Sequence, residues 1–128
     1  MTSAGTMAKR ILIADDEPNI VAALEFLLQQ NGYDVSIARN GDEALKLIEE
    51  LRPDLVLLDV MMPLRSGYDV CQSVRARADW THIKIVLLSA KGREVEVNKG
   101  VALGADLYIT KPFSTRELVA AINGLLGA

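Results

Sequence analysis

Leu55-Val56-Leu57-Leu58-Asp59-Val60-Met61-Met62-Pro63 decides the fold of this chain. Four apolar residues run without a break into a carboxylate, and a loop follows. A short continuous apolar run, rich in Val, Ile and Leu, reads as a strand buried on both faces of a parallel sheet. The pattern recurs three times. Ile11-Leu12-Ile13-Ala14 meets Asp15-Asp16, Ile85-Val86-Leu87-Leu88 meets Ser89, and Leu107-Tyr108-Ile109-Thr110 meets Lys111-Pro112. Ligands of such sheets bind at the carboxyl ends of the strands. Carboxylates, a hydroxyl and an ammonium therefore gather at one edge. That set suits phosphoryl transfer and a metal ion better than it suits a core.

Helical segments separate the strands. The first strand covers about Arg10 to Ala14, and Pro18 opens a helix through Gln30, proline being well placed in a first turn. Asn31-Gly32 ends that helix, and a strand follows from Asp34 to Ala38. Asn40-Gly41-Asp42-Glu43 has the form of an N-cap with a glutamate three residues on. Ala44, Leu45, Leu47, Ile48 and Leu51 give the second helix its apolar stripe, and Pro53 stops it before the third strand. A loop from Met62 to Gly67 precedes a helix over about Tyr68 to Ala76. The fourth strand is Ile83 to Leu88, the fourth helix about Glu94 to Leu103, and the fifth strand Leu107 to Thr110. Ser114-Thr115-Arg116-Glu117 is a capping box opening a last helix that reaches about Leu126.

Five strands alternating with five helices imply parallel βαβ units with right-handed crossovers. The doubly wound order 2-1-3-4-5 places the first and third strands side by side at the switch point. Asp15, Asp16 and Asp59 then share one crevice. The chain of 128 residues suits one domain, read as residues 9–128 behind a flexible leader of residues 1–8. Met7 offers a second start. At 50% hydrophobic and 24% charged the composition is that of an ordinary globular domain, and a net charge of -3 disfavours direct nucleic-acid binding. No apolar run is long enough for a membrane span, and the N-terminus lacks the apolar core of a signal peptide. A lone Cys71 excludes an intrachain disulfide framework and fits a cytoplasmic location.

Three clustered carboxylates repel, and one has a raised pKa if left alone. A divalent cation removes the conflict. Oxygen ligands with water filling the remaining positions describe Mg²⁺, whereas zinc would need Cys and His. Lys111 brings one positive charge to the group. A carboxylate can attack phosphorus to form an acyl phosphate, with metal and lysine stabilising the equatorial oxygens and Ser89 bonding to one of them.

On these residues the chain resembles the receiver domain of bacterial two-component response regulators, from Lys9 to Leu126. The carrying motifs are Asp15-Asp16, Asp59 in Leu-Leu-Asp-Val-Met-Met-Pro, Ser89-Ala90, and Lys111-Pro112-Phe113. The resemblance implies a flavodoxin-like fold and a signalling phosphoacceptor that catalyses only its own phosphorylation and dephosphorylation. Asp59 would accept the phosphoryl group from a sensor histidine kinase or phosphotransfer protein. Asp16, Asp59 and the Met61 carbonyl would hold Mg²⁺, with Asp15 acting through water. Lys111 and Ser89 would hold the phosphoryl oxygens, and the Lys111-Pro112 bond would be cis. Tyr108 would turn inward as Ser89 moves, switching the face of the fourth helix, fifth strand and fifth helix for a downstream output protein or domain. The last helix carries no charge beyond Arg116 and Glu117, which points to a monomer or a weak phosphorylation-dependent dimer. Ser66 departs from an acid common before Gly67, and Leu107 from an acid common after Asp106.

Blander readings compete at single residues. One Asp at a strand end is often a cap or turn residue, and Tyr108 alone would be a packing aromatic. Five such residues on four strands are hard to explain that way. Cys71 reads as a core filler, His82 as a surface residue at the opposite edge of the sheet, and Trp80 as packing. A haloacid-dehalogenase-type phosphatase needs a second Asp two residues after its nucleophile, where Met61 stands. A flavodoxin needs a neutral phosphate loop after its first strand, where Asp15-Asp16-Glu17 stands. An interaction module that is never phosphorylated is the remaining rival.

Overall fold

The computed structural model describes residues 8–90 and 93–127; the expected leader lies almost wholly outside them. The strands are β1 (Arg10–Ala14), β2 (Asp34–Ala38), β3 (Leu55–Asp59), β4 (Lys84–Ser89) and β5 (Leu107–Thr110). All pair in parallel, in the order β2-β1-β3-β4-β5. The helices are α1 (Pro18–Gln30), α2 (Gly41–Leu51), α3 (Gly67–Arg75), α4 (Glu94–Ala102) and α5 (Thr115–Leu126).

The unbroken apolar runs have a simple cause, because each face of the sheet has its own core. Leu12, Val56, Leu58, Ile85 and Leu87 pack with Ala44 and Ile48 of α2 and with Val70, Cys71 and Val74 of α3. Their alternates Ile11, Ile13, Leu55, Leu57, Val86 and Leu88 pack with Val21, Leu24 and Leu28 of α1 and with Leu118 and Ile122 of α5. A strand covered on both faces has no position for a polar residue until it leaves the sheet.

Helix ends follow local chemistry, with some differences from the sequence reading. Pro18 starts α1, and Gly32 takes the positive φ (87°) that ends it. Asn40 caps α2 by accepting the Glu43 N–H at 2.8 Å, but the Glu43 carboxylate reaches the Arg39 N–H, one residue further back than a capping box. Ser114 accepts the Glu117 N–H at 3.2 Å, without the return bond expected there among the described residues. The complete box belongs to α3, where Ser66 and Asp69 satisfy each other's backbone N–H. β4 begins and ends one residue later than expected, and Leu103 is the C-cap of α4 rather than its last residue. A 3-10 turn at Ala78–Trp80 leads into β4. It buries Trp80 under the guanidinium of Arg77, while His82 is exposed.

Candidate functional site

Strand register sets the site. Ala14 pairs with Leu58, so Asp15 and Asp59 leave the sheet level with one another. Asp59 pairs with Leu88 and Ser89 with Thr110, which puts Ser89 one step and Lys111 two steps further along. The ladder continues past the strand ends through Val60 N–H to Leu88 O at 2.9 Å and Lys111 N–H to Ser89 O at 2.7 Å. Lys111-Pro112 is cis. The five expected polar residues are thus brought to one edge of the sheet.

Asp15 is 1% exposed and its partners are in place. One carboxylate oxygen accepts the Glu17 N–H at 2.9 Å and the other the Lys111 ammonium at 3.3 Å. The same ammonium lies 3.5 Å from Asp59 Oδ1, which also accepts the Met61 N–H at 3.3 Å. Asp16 is exposed, and one oxygen from each of Asp15, Asp16 and Asp59 falls within 4.8 Å of the others. One open and two buried carboxylates, with no nitrogen or sulfur ligand among them, are an oxygen donor set that fits Mg²⁺. The Met61 side chain is exposed, and the turn that gives its N–H to Asp59 holds its backbone beside that carboxylate. A cavity lined by Asp16, Val60, Met61, Met62, Pro63 and Ser66 opens here.

Asp59 has a raised pKa, as clustered carboxylates lead one to expect, but the main cause differs. Burial contributes most and the charge of Asp15 comes second, against the lowering effect of Lys111. The position of Asp59 depends on Gly67, which the sequence reading had taken only as the end of a loop. The Gly67 N–H donates to Val60 O at 3.0 Å, and a Cβ there would lie 2.5 Å from the Asp59 carbonyl oxygen. The detectable signal was a glycine directly behind a serine N-cap.

Tyr108 is half-buried and pairs with Leu87 of β4, two residues before the fully buried Ser89. Its ring packs over Gly100 of α4, where a Cβ would sit 2.8 Å from the ring, and its hydroxyl lies 3.5 Å from that of Tyr68. The ring therefore already has a seat against α4 before any phosphoryl group is added. Cys71 is buried with its thiol pushed up to about 11, chiefly by burial, and takes no part in the site.

The chain matches the family model described as the response regulator receiver domain over residues 11–123. It belongs to that family. Among solved structures, the receiver domain of a signal transduction histidine kinase from Syntrophus aciditrophicus is 34% identical. The match covers 94% of this chain and 91% of that one, with a TM-score of 0.87. The receiver domain of Francisella response regulator 1452 is 32% identical over 91% of this chain and 95% of that one, with a TM-score of 0.86. The receiver domain of a sensor histidine kinase from Pseudomonas aeruginosa carries a magnesium ion coordinated in its active-site cleft. It is 26% identical over 95% of this chain and all of that one, with a TM-score of 0.86. No helix among the described residues is long and apolar enough to cross a membrane.

Proposed function

We propose that Asp59 is the phosphoacceptor of a Mg²⁺-dependent signalling switch. One observation carries this reading. Apart from aromatic and thiol groups, three polar side chains are buried among the described residues, Asp15, Asp59 and Ser89, and all three lie at one strand edge. Burying carboxylates is costly, so a fold gains nothing from placing two together there unless their charge is used.

An Asp59 carboxylate oxygen attacks the phosphorus of the donor in line. The new P–O bond forms as the bond to the donor's leaving atom breaks, and the electron pair leaves with the donor. Lys111, already bridging Asp15 and Asp59, follows the charge onto a phosphoryl oxygen. Ser89 donates its hydroxyl to another. Asp16, Asp59 and the Met61 carbonyl would hold Mg²⁺, with Asp15 acting through water, and the ion would supply positive charge to offset the carboxylates and the phosphoryl oxygens. The donor is a sensor histidine kinase or phosphotransfer protein, and the chain works in the cytoplasm as a monomer or weak phosphorylation-dependent dimer. Its output leaves through the α4, β5 and α5 face. A cavity of about 380 Å³ between β5 and α5, lined in part by Tyr108, Phe113, Glu117 and Ala121, supports that choice of face. The test is incubation with acetyl phosphate, with and without Mg²⁺, followed on a phosphate-affinity gel. Wild type should shift only with Mg²⁺ and Asp59→Asn not at all; a shift of the variant comparable to wild type refutes the assignment.

A further inference from the structure

Tyr68 stands where three elements meet, and the phosphoacceptor reading makes no use of it. It is the second residue of α3, directly after the glycine that abuts Asp59. Its hydroxyl donates to the Glu96 carbonyl in the first turn of α4 at 3.2 Å. With that hydrogen committed, its lone pairs face the Tyr108 hydroxyl on β5, 3.5 Å away. This is long for an O–H···O contact, so the link is weak and can be broken. Lys99, three residues after Glu96 on α4, places its ammonium 4.5 Å from the centre of the Tyr68 ring. One phenol thus joins the start of α3, α4 and β5.

α4 has few other anchors in the core. Gly100 is its one buried residue, and Val95 and Val101 are exposed. The missing side chain at Gly100 lets the Tyr108 ring lie beneath the helix. Burial holds the Tyr68 phenol well above its ordinary pKa, so it stays a neutral donor throughout the physiological range.

We infer that the Tyr68 hydroxyl is a latch that holds the Tyr108 ring in its seat and couples that seat to α4. The latch itself stands on this geometry alone, whereas its consequence for signalling rests on the phosphoacceptor reading. By linkage, a contact that favours one ring position strengthens any ligand of Asp59 that favours the same position. Tyr68 is in this sense a positioning residue for the switch.

The experiment uses the full chain with ring-¹³C tyrosine as wild type, Tyr68→Phe, Tyr108→Phe and the double variant. Tyr68→Phe keeps the ring and its packing and removes only the oxygen. Without metal, the Tyr108 ring signals of Tyr68→Phe should move towards solvent-exposed values and average faster. With Mg²⁺ and beryllofluoride, a phosphoryl mimic, the same variant should bind about two- to five-fold more weakly, the scale of one modest hydrogen bond. In the Tyr108→Phe background the loss should be clearly smaller, since the hydroxyl pair is already broken. Unchanged Tyr108 signals in metal-free Tyr68→Phe, or an equal loss of affinity in both backgrounds, overturn the latch. A wild type that binds no beryllofluoride, with Tyr108 signals that still respond to Tyr68→Phe, refutes the phosphoacceptor reading and supports the latch.

Discussion

Removing the Asp59 charge should stabilise the metal-free protein while abolishing the proposed chemistry. Three carboxylates against the single ammonium of Lys111 leave the site with a net charge of -2. Asp59 is 7% exposed, so it has lost most of its hydration, and it faces the buried Asp15. Lys111 opposes these effects, but its charge is shared, at 3.3 Å from Asp15 and 3.5 Å from Asp59. Together these effects raise the Asp59 pKa above its ordinary value, so its charge costs stability while no metal is bound, and a tenfold change in such an equilibrium is worth about 1.4 kcal/mol. Asparagine keeps the shape and the oxygen that accepts the Met61 N–H. Asp59→Asn should therefore gain about 1–2 kcal/mol in Mg²⁺-free buffer, on the order of 3–8 °C in Tm for a domain of this size. Urea unfolding with chelator present measures it. A variant equal to or less stable than wild type would show that Lys111 already neutralises the site, and the argument from crowded charge would fail.

Three further outcomes follow from the same geometry. Mg²⁺ at a hundred times its Kd should stabilise wild type by about 2.7 kcal/mol, and Asp16→Ala should lose most of that gain in paired thermal scans. Because the folded-state pKa of Asp59 is raised, the folded protein holds its proton longer. The group's contribution to stability should then fall as pH rises from the ordinary value of 3.8 through the folded pKa, and Asp59→Asn should remove that slope in metal-free denaturation at several pH values. Gly67→Ala should cost about 1–3 kcal/mol because its Cβ meets backbone at 2.5 Å, whereas Gly124→Ala, with open space in α5, should gain up to about 1 kcal/mol in the same assay.

Sheet order and site composition were legible because both rest on one rule. Strands such as Leu55–Asp59, covered on both faces, can carry polar residues only where they emerge, so the sequence directly marks the edge where Asp15, Asp16, Asp59, Ser89 and Lys111 gather. What was not legible depends on distances between helices. Tyr68 looks like any aromatic near a helix start until α3, α4 and β5 are assembled around it. Ser66 read as a departure from the family pattern, and its capping box was hidden because Asp69 replaces the usual Glu. Arg75 attracted no notice, yet its guanidinium donates to Gly104 O and Ile83 O at 2.8 Å and to Asp106 at 2.9 Å. It joins the end of α3 to the turns before β4 and β5. The rank of causes behind the Asp59 pKa was equally hidden, since repulsion follows from composition but burial follows from packing.

The central claim is that the phosphoryl group rests on one particular carboxylate. After reaction with acetyl phosphate and Mg²⁺, borodeuteride reduces an acyl phosphate to an alcohol, turning the modified aspartate into deuterated homoserine. Peptide mapping then locates the label. Deuterium at Asp59 alone is the result the account expects; deuterium at Asp15 or Asp16, or at no aspartate, contradicts it.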